Sequence, residues 1–429
     1  MQSGEKIIME KVYQHGDIRW WQHDRFGMFI HWGIYSVPAR GEWVHTRGSI
    51  MPEDYQKFAE FFTPDKFAPA EWARAARQAG MKYVVFTAKH HDGFCMWDSA
   101  YTDYKADRDY VKEIVEAFRA EGLRIGLYYS LIDWHHEDFL VDCYHPLREL
   151  DRAELNKNRD QKRYCQYMRD QVRELLTNYG KIDIMWFDFT YPRPDGKCAE
   201  DWEAEKLLAL IRELAPHIII DDRMGLPGAG DFVSPEQYVP HHGLRNPNGE
   251  LLPWEGCQTF SGAWGYNRDE TTWKTPHQLI NLIVSHVAKG GNILLNVGPD
   301  ARGRFDKRAM KALSAIGSWM NENSESIYGC TVAPEGLIPP EDCRYTYNPA
   351  TGKLYVHLLA YPIKFLFLPG LKDKVRFARF LGDGSEITMK KANVEHSNIT
   401  PKLEQDVLML QIPALAPDTL VPVIELSLK

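Results

Sequence analysis

No two of the chain's cysteines form a CxxC pair. The seven, at 95, 143, 165, 198, 257, 330 and 343, are scattered through 429 residues and odd in number. Neither a disulfide framework nor a zinc cluster is therefore expected. No run of about 18 apolar residues occurs, so no helical membrane span is expected. No Lys/Arg run stands out against a formal net charge of -8, which argues against a nucleic-acid partner. A GxGxxG turn after the first strand, a P-loop, a GxSxG elbow and an HExxH helix are all missing. Those absences weaken dinucleotide binding, phosphoryl transfer, serine hydrolysis and zinc proteolysis. Residues 1–15 mix Glu, Lys and Gln with few apolar side chains and hold no signal-peptide core. As written, the chain is expected to be cytoplasmic, or periplasmic or secreted if a leader was removed.

What the chain does have is aromatic surface. It carries 13 Trp and 21 Tyr within an ordinary 44% hydrophobic and 26% charged composition. Flat apolar faces with polar edges suit pyranose rings. Its organising stretch is KIDIMWFDFTY (181–191), a short apolar run that reads as a strand buried on both faces and ends in Asp188. A carboxylate there either caps a following helix or has a chemical task.

Around it, strand and helix patterns alternate. Strands are expected at 26–35, 83–87, 124–130, 182–188, 217–220 and 292–297, with short candidates in DFVSPE and CQTFSG. Helices are expected at 70–79, 110–120, 158–179, 202–214, 276–289 and 306–322, several closed by glycine. Eight strand candidates in this grammar imply an α/β fold, a (β/α)8-like barrel over residues 1–335, with an open doubly wound sheet as runner-up. From 336 to 429 only short alternating runs and turns remain, implying a smaller C-terminal β-sandwich.

Chemistry-bearing residues gather where strands end: His31, Trp32, Glu42 and Trp43; His90, His91 and Asp92; Tyr128, Tyr129, Asp133 and Trp134; Asp188; Asp221, Asp222 and Arg223; Glu236; Glu255 and Trp264. Barrel loops after the strands share one face, so these residues are expected in a single pocket. Singly each has a bland reading: a buried Trp is core, and Glu42 pairs with Arg40 or Arg47 at the surface. In extended chain the adjacent rings of His90 and His91 point opposite ways and do not readily share a metal, so metal catalysis is the minority reading. Two carboxylates among Trp, His and Arg suit glycoside hydrolysis.

FGMFIHWGIYSVPARGEW, TAKHHDGFCMWDS, GLYYS and MWFDF together resemble the retaining α-L-fucosidases, glycoside hydrolase family 29. DDRMG, PWEGC, AWGYN, KGGNILLNVGPDARG and IGSWMNENSESIYG extend the resemblance, in order, over roughly residues 10–335. It implies an exo-acting enzyme that removes terminal α-L-fucosyl residues from oligosaccharides or glycoconjugates through a covalent fucosyl-enzyme. Asp188 matches the nucleophile, ionised and held so by a cationic or hydrogen-bonding neighbour. Glu236 is the first choice for acid/base, its pKa raised by Phe232, Val233 and Tyr238. Glu255 is the alternative acid/base, and Glu42 the third choice. His31, Glu42, Trp43, His90, His91, Tyr128 (in preference to Tyr129), Arg223 and Trp264 are the implied sugar ligands. Neither cofactor nor metal is implied, and no nucleic-acid or membrane partner; oligomeric state is not legible. The competing readings are a catalytically silent fucose-binding protein on the same scaffold, an L-galactosidase relative and a metal-dependent hydrolase.

Overall fold

A computed structural model describes residues 13–391 and 406–429. Residues 1–12 of the N-terminal stretch, and residues 392–405 of the expected sandwich, lie outside the described residues. The larger body is a seven-stranded, all-parallel sheet. Its strands are β1 (Phe26–Ile30), β2 (Tyr83–Lys89), β3 (Arg124–Ser130), β4 (Ile184–Asp188), β5 (Ile219–Ile220), β6 (Glu255–Thr259) and β7 (Asn292–Val297), hydrogen-bonded in the order β5-β4-β3-β2-β1-β7-β6. β2 and β7 are buried along their whole length, as strands covered by helices on one side and filled by side chains on the other must be.

One expected strand does not form as such. Residues 231–237, from DFVSPE, make isolated bridges: Val233 opposite Trp254 and Glu236 opposite Cys257, both parallel. The same segment reaches β5, since the Asp231 N–H donates to the Ile220 carbonyl at 2.8 Å. It thus occupies the gap between β5 and β6, where an eighth strand would lie. Pro235 removes one ladder donor there, which explains the irregularity. The first strand is also shorter than the expected 26–35. The chain leaves the sheet after Ile30, and a single 3-10 turn follows at Ile34–Ser36.

Helices cover the sheet at Pro69–Gln78, Tyr110–Ala120, Gln161–Thr177, Ala204–Leu214, Pro276–Val287 and Lys307–Asn323. Their starts are locally encoded. Asp109 accepts from the Lys112 N–H, and Thr275 with Gln278 forms a reciprocal capping box ahead of Pro276. The architecture is a (β/α)8-like barrel whose strand carboxyl ends open on one face.

The smaller body is antiparallel. A four-stranded sheet, β11-β14-β9-β8, faces a three-stranded one, β10-β13-β12, around a separate core that includes Leu354, Val356, Leu368, Leu410, Ile424 and Leu426. The ranges are β8 Cys343–Asn348, β9 Lys353–Leu358, β10 Phe365–Pro369, β11 Val375–Phe380, β12 Thr388–Lys391, β13 Val407–Gln411 and β14 Val423–Leu428. Tyr355, Val421 and Val423 join the barrel's core instead, and the Trp319 indole donates to the Val421 carbonyl at 2.8 Å.

Candidate active site

At the carboxyl end of β4, Asp188 is held from two sides. Its Oδ1 accepts from Arg223 Nη1 at 2.8 Å and its Oδ2 from the Tyr128 hydroxyl at 2.8 Å, with His91 Nε2 at 3.9 Å. Burial pushes the Asp188 carboxyl up, but Arg223, His91 and the two hydrogen bonds outweigh it, so it lies below the usual carboxylate range. The group is ionised at neutral pH, as a nucleophile must be.

The same Arg223 nitrogen donates to Glu236 Oε2 at 2.9 Å. The two carboxylates thus meet on one nitrogen, Asp188 at 2.8 Å and Glu236 at 2.9 Å. Arg223 is itself fixed: its Nη2 donates to the Ser234 carbonyl, its Nε to Ser234 Oγ, and its plane lies 4.5 Å from the Trp186 ring centroid. The apolar shell expected around Glu236 is absent. Phe232 stacks on Trp21 inside the barrel, Tyr238 is 59% exposed, and the Glu236 side chain is 45% exposed. The bridging segment turns Phe232 inward while Glu236 stays at the open mouth.

A cavity of aromatic and polar walls adjoins this trio. It is lined by His31, Glu42, Trp43, His90, His91, Tyr128, Asp188, Arg223, Glu236 and Trp264, joined by Phe29, Trp186, Phe189 and Cys257. His31 Nδ1 is 2.7 Å from Asn296 Oδ1, and the Asn296 amide donates to the Trp264 carbonyl. That fixes Nδ1–H as donor and leaves Nε2 as an acceptor. His91 is oriented likewise. The Ser130 hydroxyl donates to the Ile132 carbonyl and so accepts from His91 Nδ1 at 2.7 Å. Burial lowers both imidazoles, His31 to about 3 and His91 to about 4, so each is neutral at physiological pH. His90 is buried beside them and lines the same cavity, its Nδ1 without a hydrogen-bond partner.

His90 and His91 depart from the extended-chain expectation. Both line the one cavity, with ring centroids 4.0 Å apart, because the chain turns just after Lys89 ends β2. Glu42 does not pair with Arg40 or Arg47. It is buried, its Oε2 accepts from the Gly265 N–H at 2.7 Å, and burial raises its pKa. Tyr128 faces the cavity and Tyr129 does not, its hydroxyl donating to Gln171 Oε1 on the helix side.

The pocket is smaller than the list of strand-end residues. Trp32 is core, its indole donating to the Asp300 carbonyl. Asp92 accepts from Tyr55, and Asp133 pairs with buried Lys89 at 2.9 Å. Asp221 is wholly buried beneath the site, with Oδ1 on the Phe187 N–H and Oδ2 without a partner. Glu255, the alternative acid/base, is off the cavity wall. It begins β6 opposite Asn292, at the barrel's floor, where Oε2 accepts from the Trp21 indole at 3.0 Å and from the Tyr83 hydroxyl. Among the described residues no group of three or more His, Cys, Asp or Glu is arranged to hold a metal ion.

Of the wall residues missed in the sequence, Phe29 and Trp186 lie two positions before His31 and Asp188. Strand alternation puts each on the face of its partner, a signal that was there to use. Phe189 had no such signal. It follows Asp188 with φ 84°, left-handed backbone that costs a bulky residue roughly 1–2 kcal/mol.

Paired carboxylates at the mouth of a barrel, beside an aromatic-walled pocket, define a (β/α)8 glycoside hydrolase. The Alpha-L-fucosidase family model matches residues 7–325. The chain belongs to that family, glycoside hydrolase family 29. Its fold is similar to that of α-L-fucosidase isoenzyme 1 from Paenibacillus thiaminolyticus, at 46% identity and a TM-score of 0.89, covering 96% of this chain and 98% of that one. A second structure, at 26% identity, TM-score 0.81 and 95% of each chain, is a trapped covalent intermediate of the Bacteroides thetaiotaomicron GH29 α-L-fucosidase in complex with 2-fluoro-fucosyl fluoride. Human plasma α-L-fucosidase is 30% identical over 92% of this chain and 86% of its own.

Proposed function

We propose that this protein is an exo-acting retaining α-L-fucosidase that releases terminal α-L-fucosyl residues from oligosaccharides or glycoconjugates, with Asp188 as nucleophile and Glu236 as acid/base. The observation that carries the reading is the single Arg223 nitrogen shared by both carboxylates. One guanidinium balances one negative charge at each stage. While Asp188 is the anion, Glu236 acts as the acid: Arg223 bonds its Oε2, which leaves Oε1 to protonate the leaving oxygen. Once Asp188 has attacked the anomeric carbon its charge is spent in an ester. Glu236, now the carboxylate, is the base that activates water.

The neutral imidazoles of His31 and His91 present acceptor nitrogens to sugar hydroxyls, while Trp264 and Phe29 offer apolar faces. A C5 methyl filling such a wall is worth about 1–3 kcal/mol of discrimination. Proton NMR of the anomer released from an aryl α-L-fucoside tests the scheme. Wild type should release the α-anomer first. Asp188→Gly should be inactive without added azide and should yield β-fucosyl azide with it. Initial release of the β-anomer would overturn both carboxylate roles.

A further inference from the structure

Phe189 is an expensive residue in an unusual place. Its left-handed backbone is locked from both sides: the Leu131 N–H holds the preceding carbonyl of Asp188 at 3.0 Å, and the Trp202 indole holds Thr190 Oγ1 at 2.9 Å. Glycine would take that conformation without strain. The chain instead carries a half-buried ring there. That ring packs against Trp43, His91, Tyr144 and Tyr191 at centroid distances of 4.9–5.1 Å.

The ring stands at a border. Phe189 lines the inner sugar pocket and also a second, open cavity of about 690 Å³ that begins at Asp188, Arg223 and Glu236 and runs outward past Tyr191, Leu226 and Pro227. A fucosyl unit bonded to Asp188 would direct its leaving group into this outer space. Among the described residues the cavity's remaining charged groups are Glu200 and Asp222, and its one cation, Arg223, is already engaged by Asp188 and Glu236.

We infer that Phe189 is the platform on which the leaving sugar rests in this outer cavity, and that the cavity's acidic lining selects an uncharged sugar. This rests on the fucosidase reading above. The Glu200 and Asp222 carboxylates accept from the hydroxyls of such a sugar and repel one that carries its own acid. Backbone strain at Phe189 is then the cost of a ring in the position where it separates the two sugars.

The test compares α-L-fucosyl fluoride, whose leaving group is too small to reach the ring, with neutral fucosyl disaccharides, for wild type, Phe189→Gly and Phe189→Tyr. In Phe189→Gly, kcat/KM for the disaccharides should fall about tenfold or more relative to the fluoride, and Phe189→Tyr should restore it. Disaccharides whose reducing sugar is a uronic acid should be poorer substrates of wild type than their neutral counterparts. The inference is overturned if Phe189→Gly lowers both substrate types together, if it spares the disaccharides, or if acidic and neutral sugars leave equally well. Wild type that cleaves the fluoride and no disaccharide would also overturn it, with the fucosidase reading intact. Wild type that cleaves neither would sink the fucosidase reading itself.

Discussion

Two carboxylates of the same barrel behave oppositely. Asp188 closes β4 at the mouth and lies below its ordinary pKa. Glu255 opens β6 at the floor and is pushed up to about 7. Burial raises both, and is the largest influence on each. The difference is the company. Asp188 has a guanidinium at 2.8 Å and an imidazole at 3.9 Å; Glu255 has one indole and one phenol donating to its Oε2, and an Oε1 with no partner. Hydrogen bonds without a nearby cation do not offset desolvation.

Removing the cation should break the contrast most. Arg223→Met leaves Asp188 buried and unpaired, and is expected to cost about 3–5 kcal/mol of stability in urea unfolding. In the same variant the acidic limb of the kcat/KM profile should move to higher pH, because the Asp188 pKa rises. A limb that stays put would mean that Arg223 does not hold that charge.

The floor carboxylate should show in stability rather than rate. A folded pKa of about 7, raised from 4.5, means the folded state holds the proton more tightly than the unfolded chain. Its stabilisation is complete below pH 4.5 and lost as pH rises to about 7, up to about 3 kcal/mol in all. Glu255→Gln should remove that part of the slope of Tm against pH. Asp92, also pushed up to about 7, should still contribute a slope of the same sign. Asp188 works in the opposite sense, its stabilisation present above pH 4 and lost only as pH falls through its depressed pKa. The smallest effect is expected for Tyr128→Phe, which deletes one hydrogen bond to Asp188 but not the cation. Steady-state kinetics should show a loss in kcat of about tenfold.

Much of this was legible before any coordinates. The alternation of apolar runs with glycine-closed helices is a local pattern, so β3 and β7 and the helix Tyr110–Ala120 fall where the sequence places them. The strings around His31, His90, Asp188 and Arg223 pointed to one face, because loops after parallel strands must share it. What escaped notice depended on direction. Whether Phe232 desolvates Glu236 turns on which way an irregular segment twists, and whether His90 and His91 share a cavity turns on a bend one residue past a strand. Phe189 was invisible because nothing local asks for a phenylalanine in left-handed backbone.

The sequence by itself determined the parallel barrel, the all-β tail and the residue types able to cleave a glycoside, since those follow from periodicity and composition along the chain. Only the tertiary structure decided which glutamate stands with Asp188. Glu236 and Glu255 are 19 positions apart, yet the chain between them returns from the mouth to the floor, placing one on Arg223 and the other among indoles. Burial and Coulomb interactions act through space. The chain order supplied the carboxylates, and the fold supplied their charge.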